Sequence, residues 1–280
     1  MKVAVLVLAY RYPLGLRVLS RYFCEPSFDV FVHVDEKIDV GQFEAQAAES
    51  TCFLRDRIAV YWRGWSIVEA TMRLVIHAKS RGEYDRYVLI SDDSVPLVSA
   101  ATMLSSLATY PDQLHIFLAE QRAWRYDKFF MFDSAATQLR WVADREVTID
   151  ALGKFERLAA LRRRGKKPIS EHYQGSQWWA LSAHSIDRVL ESWNNDDWLR
   201  ASFEFSDAPD EGYFHAILAQ TCNGLSRSIM WVDWEPPTPP PPRTMRTYDE
   251  LAEIRPSTEL FARKIDLDQV ALDAWMGRLT

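Results

Sequence analysis

Short β-branched runs alternate with helically spaced apolar positions through the first 120 residues. Residues 2–9 (KVAVLVLA) are almost continuously apolar, the pattern of a strand covered on both faces. Residues 28–35 (FDVFVHVD), 57–62 (RIAVYW), 87–93 (YVLISDD) and 114–119 (LHIFLA) predict four further strands. Between them, LGLRVLSRYF after Pro13 predicts one helix. A second is predicted over 66–80, where Ile67, Ala70, Met72 and Leu74 to Ile76 follow an opening Ser66. Strands alternating with helices predict an α/β fold around a largely parallel, doubly wound sheet. Ligands of such sheets gather at the carboxyl ends of the strands, where Asp35 and the pair Asp92–Asp93 fall.

The second half is less regular. Helices are predicted over 147–164, 184–193 and 209–219. The run PPTPPPP (236–242) fits neither helix nor central strand, so it predicts a stiff, extended crossing segment. No repeat or linker divides the chain. One domain over 1–280 is expected, with stretches 1–120, 121–235 and a C-terminal extension 236–280 that packs across the sheet.

Composition narrows the function. A net charge of −6 over 280 residues gives no global basic field for nucleic acid or anionic lipid. Eleven Trp, eleven Tyr and fourteen Phe fill cores and also offer platforms for the apolar faces of sugars. Cys24, Cys52 and Cys222 are odd in number and far apart, which suggests neither a disulfide framework nor a zinc site. The N-terminal apolar run is short and lacks a small-residue cleavage site, and no segment reaches bilayer-spanning length, so a cytoplasmic location is expected. Peripheral association with a membrane stays open. The basic run RRRGKK (162–167) reads as a solvated helix end, or as a holder of an anionic substrate.

The chain has no GxGxxG after its first strand, no GxxxxGK[ST], no GxSxG and no HExxH, which disfavours dehydrogenase, P-loop, hydrolase-elbow and zincin readings. What remains are acids at strand ends, Trp-rich segments and scattered cations. In SDAPDEGYFHAIL (206–218), Asp210 and Glu211 precede an apolar helical face. They read either as acids complementing a helix start or as a catalytic base.

Six segments in order carry a resemblance: VHVDEK (32–37), WRGWSIVEA (62–70), YVLISDDSVPL (87–97), GSQWWALS (175–182), PDEGYFHAIL (209–218) and LFARKID (260–266). Together they resemble the core-2/I-branching β-1,6-N-acetylglucosaminyltransferase family, which also includes peptide O-xylosyltransferases, in a compact bacterial form. The resemblance implies a GT-A-like, inverting glycosyltransferase that moves a sugar, GlcNAc or xylose first, from a UDP-sugar to a saccharide hydroxyl, with surface polysaccharide synthesis as its setting. It makes 1–120 the nucleotide-sugar half and 121–235 the acceptor and catalytic half. It puts the general base on Glu211 and the charge facing the departing UDP on Lys264 and Arg263. A further cation is implied at Arg243 or Arg246, with Arg243 favoured. Asp35, Ser91 and Asp93 are implied on the donor side. Trp231, Asp233, Trp178 and Asp210 are implied on the acceptor side, although Trp178, Trp179 and Trp231 read equally as core. Gly175 and Ser176 are implied to let the backbone approach substrate.

The pattern departs from the family where S-G-x-D-x-P-L becomes Ser91 to Leu97. Asp92 replaces the glycine and Ser94 the aspartate, and Tyr10 replaces an early histidine. No cofactor is expected, but adjacent carboxylates at a strand end offer an alternative: a metal-dependent transferase holding Mn or Mg on Asp92 and Asp93. A third reading is an inactive relative that binds glycans through its Trp-rich face.

Overall fold

The computed structural model describes residues 1–110, 112–133, 149–169, 171–219, 227–234 and 242–279. Its main sheet has six strands: β1 (Val3–Ala9), β2 (Phe28–Val34), β3 (Cys52–Phe53), β4 (Arg86–Ser91), β6 (Gln113–Leu118) and β7 (Tyr173–Ser182). Their order is β3-β2-β1-β4-β7-β6, and β7 alone runs against the rest. β1 lies at the centre with all seven residues buried, which is why its sequence is a continuous apolar run rather than an alternating one. Helix Ser66–Arg81 packs on β1 and β2, and helix Ala183–Asn195 on β4 and β7. This is the α/β layout, with a mostly parallel sheet, that the sequence implied. No described helix is long and apolar enough to cross a membrane.

A second, three-stranded sheet carries the C-terminal extension. β5 (Val95–Pro96) pairs antiparallel with β9 (Phe261–Arg263), and β9 pairs parallel with β8 (Met230–Val232). Chain segments some 170 residues apart thereby meet beside the end of β4, where Ile265 N donates to Asp93 O at 3.1 Å. The contact is sealed by Trp275, whose indole Nε1 donates to Pro96 O at 2.8 Å, and by Tyr12, whose hydroxyl bonds the backbone of Leu267. The predicted proline crossing lies outside the described residues except for Pro242, as do Cys222 and the first two residues of the helix predicted over 147–164.

Three sequence expectations need correction. Residues 57–62 form no strand, because their backbone is claimed elsewhere. Ile58 N donates to His33 Nε2 at 3.1 Å, Val60 N to Asp35 Oδ1 at 3.3 Å and Tyr61 N to Ser66 Oγ at 2.8 Å. The third strand is instead the two-residue β3. The helix predicted over 209–219 is split into a tight turn, Pro209–Glu211, and a short helix, Tyr213–Leu218, with Gly212 between. Gly175 serves strand packing rather than substrate access. A Cβ there would lie 1.6 Å from His115 O across the β6–β7 pair and 2.7 Å from the buried His215 ring. Gly175→Ala should therefore cost about 1–3 kcal/mol through overpacking, seen as a lower thermal midpoint. An unchanged midpoint would mean the two strands can part without penalty.

Candidate active site

The carboxyl ends of β1 and β4 are tied together by Asp92. Its Oδ2 accepts the backbone N–H groups of Tyr10 (3.1 Å), Arg11 (2.9 Å) and Tyr12 (2.6 Å), the loop that follows β1. Gly15, one turn into the next helix, lets that helix sit on the Asp92 carbonyl, since a Cβ would come within 2.0 Å of it. Asp92 is wholly buried, and Oδ1 has no hydrogen-bond partner among the described residues. Burial, followed by the charge of Asp93, pushes its carboxyl from 3.8 up to about 6. The folded chain thus holds this proton more tightly than the unfolded chain does. The stability it contributes is full below about pH 4 and is lost as pH rises through about 6. Asp92→Asn, whose carbonyl can still accept the three amides, should flatten that part of a midpoint-against-pH curve. An unaltered slope would place the titration elsewhere.

Asp93 is equally buried but faces cations. Arg11 Nη2 donates to its Oδ2 at 2.9 Å, and Arg263 approaches through Nε (3.3 Å) and Nη2 (3.2 Å) to Oδ1. Ser91 Oγ and Tyr10 OH donate as well, the latter at 3.2 Å. Burial works against the charged form, but Arg263, Ser91 and Arg11 outweigh it and hold the carboxyl below the ordinary range. Arg263 lies over the buried Trp178 ring at 4.6 Å, and Arg11 over Tyr10 at 5.5 Å. Lys264 follows directly. Burial and then Arg263 lower its pKa, with Asp93 partly offsetting them. Asp93 thus carries two guanidinium groups with Lys264 beside them, so that three cations stand against the two carboxylates Asp92 and Asp93 where α/β sheets bind ligands. The loop amides are already spent on Asp92, so an anion arriving here would be met by side chains.

A Mn or Mg ion on Asp92 and Asp93, the alternative expectation, would have to compete with the contacts these carboxylates already make. One Asp92 oxygen is saturated by amides, and both Asp93 oxygens face guanidinium groups. Among the described residues no three His, Cys, Asp or Glu side chains gather as ligands would.

The PDE segment is held by a separate ionic network. Asp207 is fully buried; Arg63 binds both its oxygens, and Arg125 Nε reaches it at 3.4 Å. Arg125, which follows the carboxyl end of β6, also donates from Nη1 to Glu211 Oε2 at 2.7 Å. Backbone bonds lock the same parts: Asp207 N to Arg125 O at 2.8 Å and Ala208 N to Arg63 O at 3.1 Å. The three neighbouring acids therefore differ. The side chain of Asp207 is 0% exposed and Asp210 is buried, while that of Glu211 is 39% exposed and oriented by a guanidinium. Burial, followed by the charge of Glu211, pushes Asp210 well above the ordinary carboxylate range. The basic run 162–167 divides. Arg162 to Arg164 are exposed, whereas Lys166 Nζ braces this network through Tyr126 O (2.6 Å) and Ser206 Oγ (3.0 Å).

The remaining expected residues scatter. Asp35, at the end of β2, is bonded by Lys37 Nζ at 2.6 and 2.9 Å, so its carboxylate is already engaged in its own turn. Arg243 sits between Asp233 (2.7 Å) and Glu250 (2.9 Å). Its partner Asp233 is the carboxylate expected to bind acceptor. Arg246 is exposed, with Asp266 at 3.8 Å. Trp231 stands half-buried on β8 against the C-terminal core. The structure thus joins Ser91, Asp93, Trp178, Arg263 and Lys264 in one cluster and Asp210 and Glu211 in another. Sequence reasoning missed Arg11, Arg63 and Arg125. Of these, only Arg63, inside WRGW, lay in a motif that could have pointed to it.

A family model described as Core-2/I-Branching enzyme matches residues 3–258. The chain belongs to the core-2/I-branching enzyme family. Both clusters fall within the matched residues except Arg263 and Lys264, which lie just beyond. No curated protein matches this chain. Among solved structures, a "putative nucleotide-diphospho-sugar transferase" from Desulfovibrio desulfuricans G20 is similar at 16% identity and a TM-score of 0.30. S. aureus TarS is similar at 15% identity and a TM-score of 0.29. Each likeness covers 41% of this branching-family chain, which spans 58% and 21% of those two proteins' own lengths.

Proposed function

We propose that this branching-family chain is a glycosyltransferase, and that it moves a sugar from UDP to a saccharide hydroxyl with inversion at the anomeric carbon. The observation that carries the reading is the contrast among the three acids Asp207, Asp210 and Glu211. Only Glu211 is both open to solvent and aimed by a guanidinium, as a base that must meet an acceptor hydroxyl has to be. As the new bond forms, Glu211 takes the hydroxyl proton while the bond between the anomeric carbon and the UDP oxygen breaks. The charge gathering on UDP is met by Lys264 and Arg263 at the ends of β1 and β4, with no metal required. Trp178, beneath Arg263, and Trp231 then act from the walls of the site.

GlcNAc or xylose as the transferred sugar, a surface polysaccharide as the product and a cytoplasmic setting belong to the same proposal and rest on the family resemblance. The direct test is UDP release from a panel of UDP-sugars and saccharide acceptors in EDTA, with the anomeric configuration of the product read by NMR. Transfer with inversion is expected. Transfer only after Mn is added, or with retained configuration, overturns the mechanism, and binding of glycans without turnover favours the inactive-relative reading.

A further inference from the structure

The excess cations at the ends of β1 and β4 are not loosely gathered. Each guanidinium is pinned on two sides: Arg11 between the Tyr10 ring and Asp93, and Arg263 between the Trp178 ring and Asp93. A guanidinium carries five N–H donors in a rigid fork. Asp93 takes Nη2 of Arg11 and Nε and Nη2 of Arg263, so Nε and Nη1 of Arg11 and Nη1 of Arg263 make no hydrogen bond with a described residue. The Arg11 side chain is 37% exposed and that of Arg263 is 13% exposed. Asp93 itself is sealed in, with Ser91 and Tyr10 completing its contacts, so it touches no ligand directly.

We propose that Asp93 is a positioning residue, a buried yoke that holds Arg11 and Arg263 side by side as a clamp for the diphosphate of the donor, and that Arg11 is a donor-binding residue. The inference rests on the donor site proposed above and adds to it a residue, Arg11, and a task for Asp93 that is neither metal binding nor direct substrate contact. Two guanidinium groups this close repel one another. A carboxylate between them removes that repulsion and fixes both forks, so little side-chain freedom is left to lose when a diphosphate arrives. The remaining donors of two planar forks suit the several oxygens of a diphosphate better than the single charge of Lys264 alone.

The proposal has an unusual sign. By charge alone, removing a carboxylate from beside a polyanion strengthens binding. If Asp93 is a yoke, Asp93→Asn weakens it. The test is calorimetric titration with UDP in EDTA and again with Mn, set beside uridine binding followed by ligand-observed NMR. Arg11→Gln and Asp93→Asn are each expected to weaken UDP about tenfold or more and to leave uridine unchanged, with Arg11→Lys recovering only part of the loss. Tighter UDP binding by Asp93→Asn, or unchanged binding by Arg11→Gln, overturns the yoke while leaving the donor site standing. A loss seen only in the Mn titration overturns it in favour of a metal ligand. No UDP binding by the unaltered chain overturns the donor site itself, and the clamp with it. Should Asp93→Asn lack a cooperative melting transition, the two Arg11 variants decide.

Discussion

Glu211→Gln should lower turnover by about 10²–10⁴-fold at saturating donor while leaving UDP affinity within about twofold, since general-base catalysis is lost and donor binding is not. Glutamine keeps nearly the shape of the side chain, and its carbonyl can still accept from Arg125 Nη1, so the network around it should stand. The amide cannot take the acceptor proton. The comparison that gives this result its force is Asp210→Asn. Asp210 is buried beside Glu211 with one oxygen lacking a partner among the described residues, and burial raises its own pKa. If turnover survives Glu211→Gln and falls with Asp210→Asn, the base is Asp210. If it survives both, neither acid takes part.

The largest effect on stability is expected at Asp207. This carboxylate is wholly buried and neutralises Arg63 and Arg125 together. Asp207→Asn leaves two guanidinium groups facing an amide, and breaking such a buried pair costs about 3–5 kcal/mol. For a chain of this size the thermal midpoint should fall by about 10 °C. Turnover of the surviving folded fraction should fall as well, because Arg125, which aims Glu211, loses its second anchor. A midpoint within a degree or two of the parent would show that water or relaxation already compensates the two arginines. Asp207→Glu offers a control, since it keeps the charge and changes only its reach.

The sequence made the framework of the fold legible where burial is complete. β1 and β4 announced themselves because strands covered on both faces are continuous apolar runs, and helix Ser66–Arg81 because one face is apolar at helical spacing. Strand β7 carries no strand pattern of its own, since YQGSQWWALS neither alternates nor runs apolar throughout. RIAVYW misled in the opposite direction. It has the composition of a strand, but side chains of His33, Asp35 and Ser66 take its backbone donors. The candidate site followed the same logic. Glu211, Lys264 and Asp93 were reachable through motifs. Arg11 and Arg125 were not, because each gains its meaning from a carboxylate more than 80 residues away, Asp93 and Glu211 respectively. Nothing local marks such a pair. The partners of Arg243 were hidden for a related reason: Asp233 and Glu250, which hold it, are ordinary acids until the C-terminal extension folds back.

A glycine-rich phosphate loop binds through main-chain amides, which almost every residue type carries, so its grip survives most substitutions. The three amides after β1 are instead spent on Asp92. On the proposed function, donor affinity is then written in side chains, and each of these can be rewritten by a single change of codon. Descendants of this chain could tune their donor affinity at Arg11 or Lys264 one step at a time, while Asp92 goes on joining strand to helix. Architecture and affinity are inherited on separate residues.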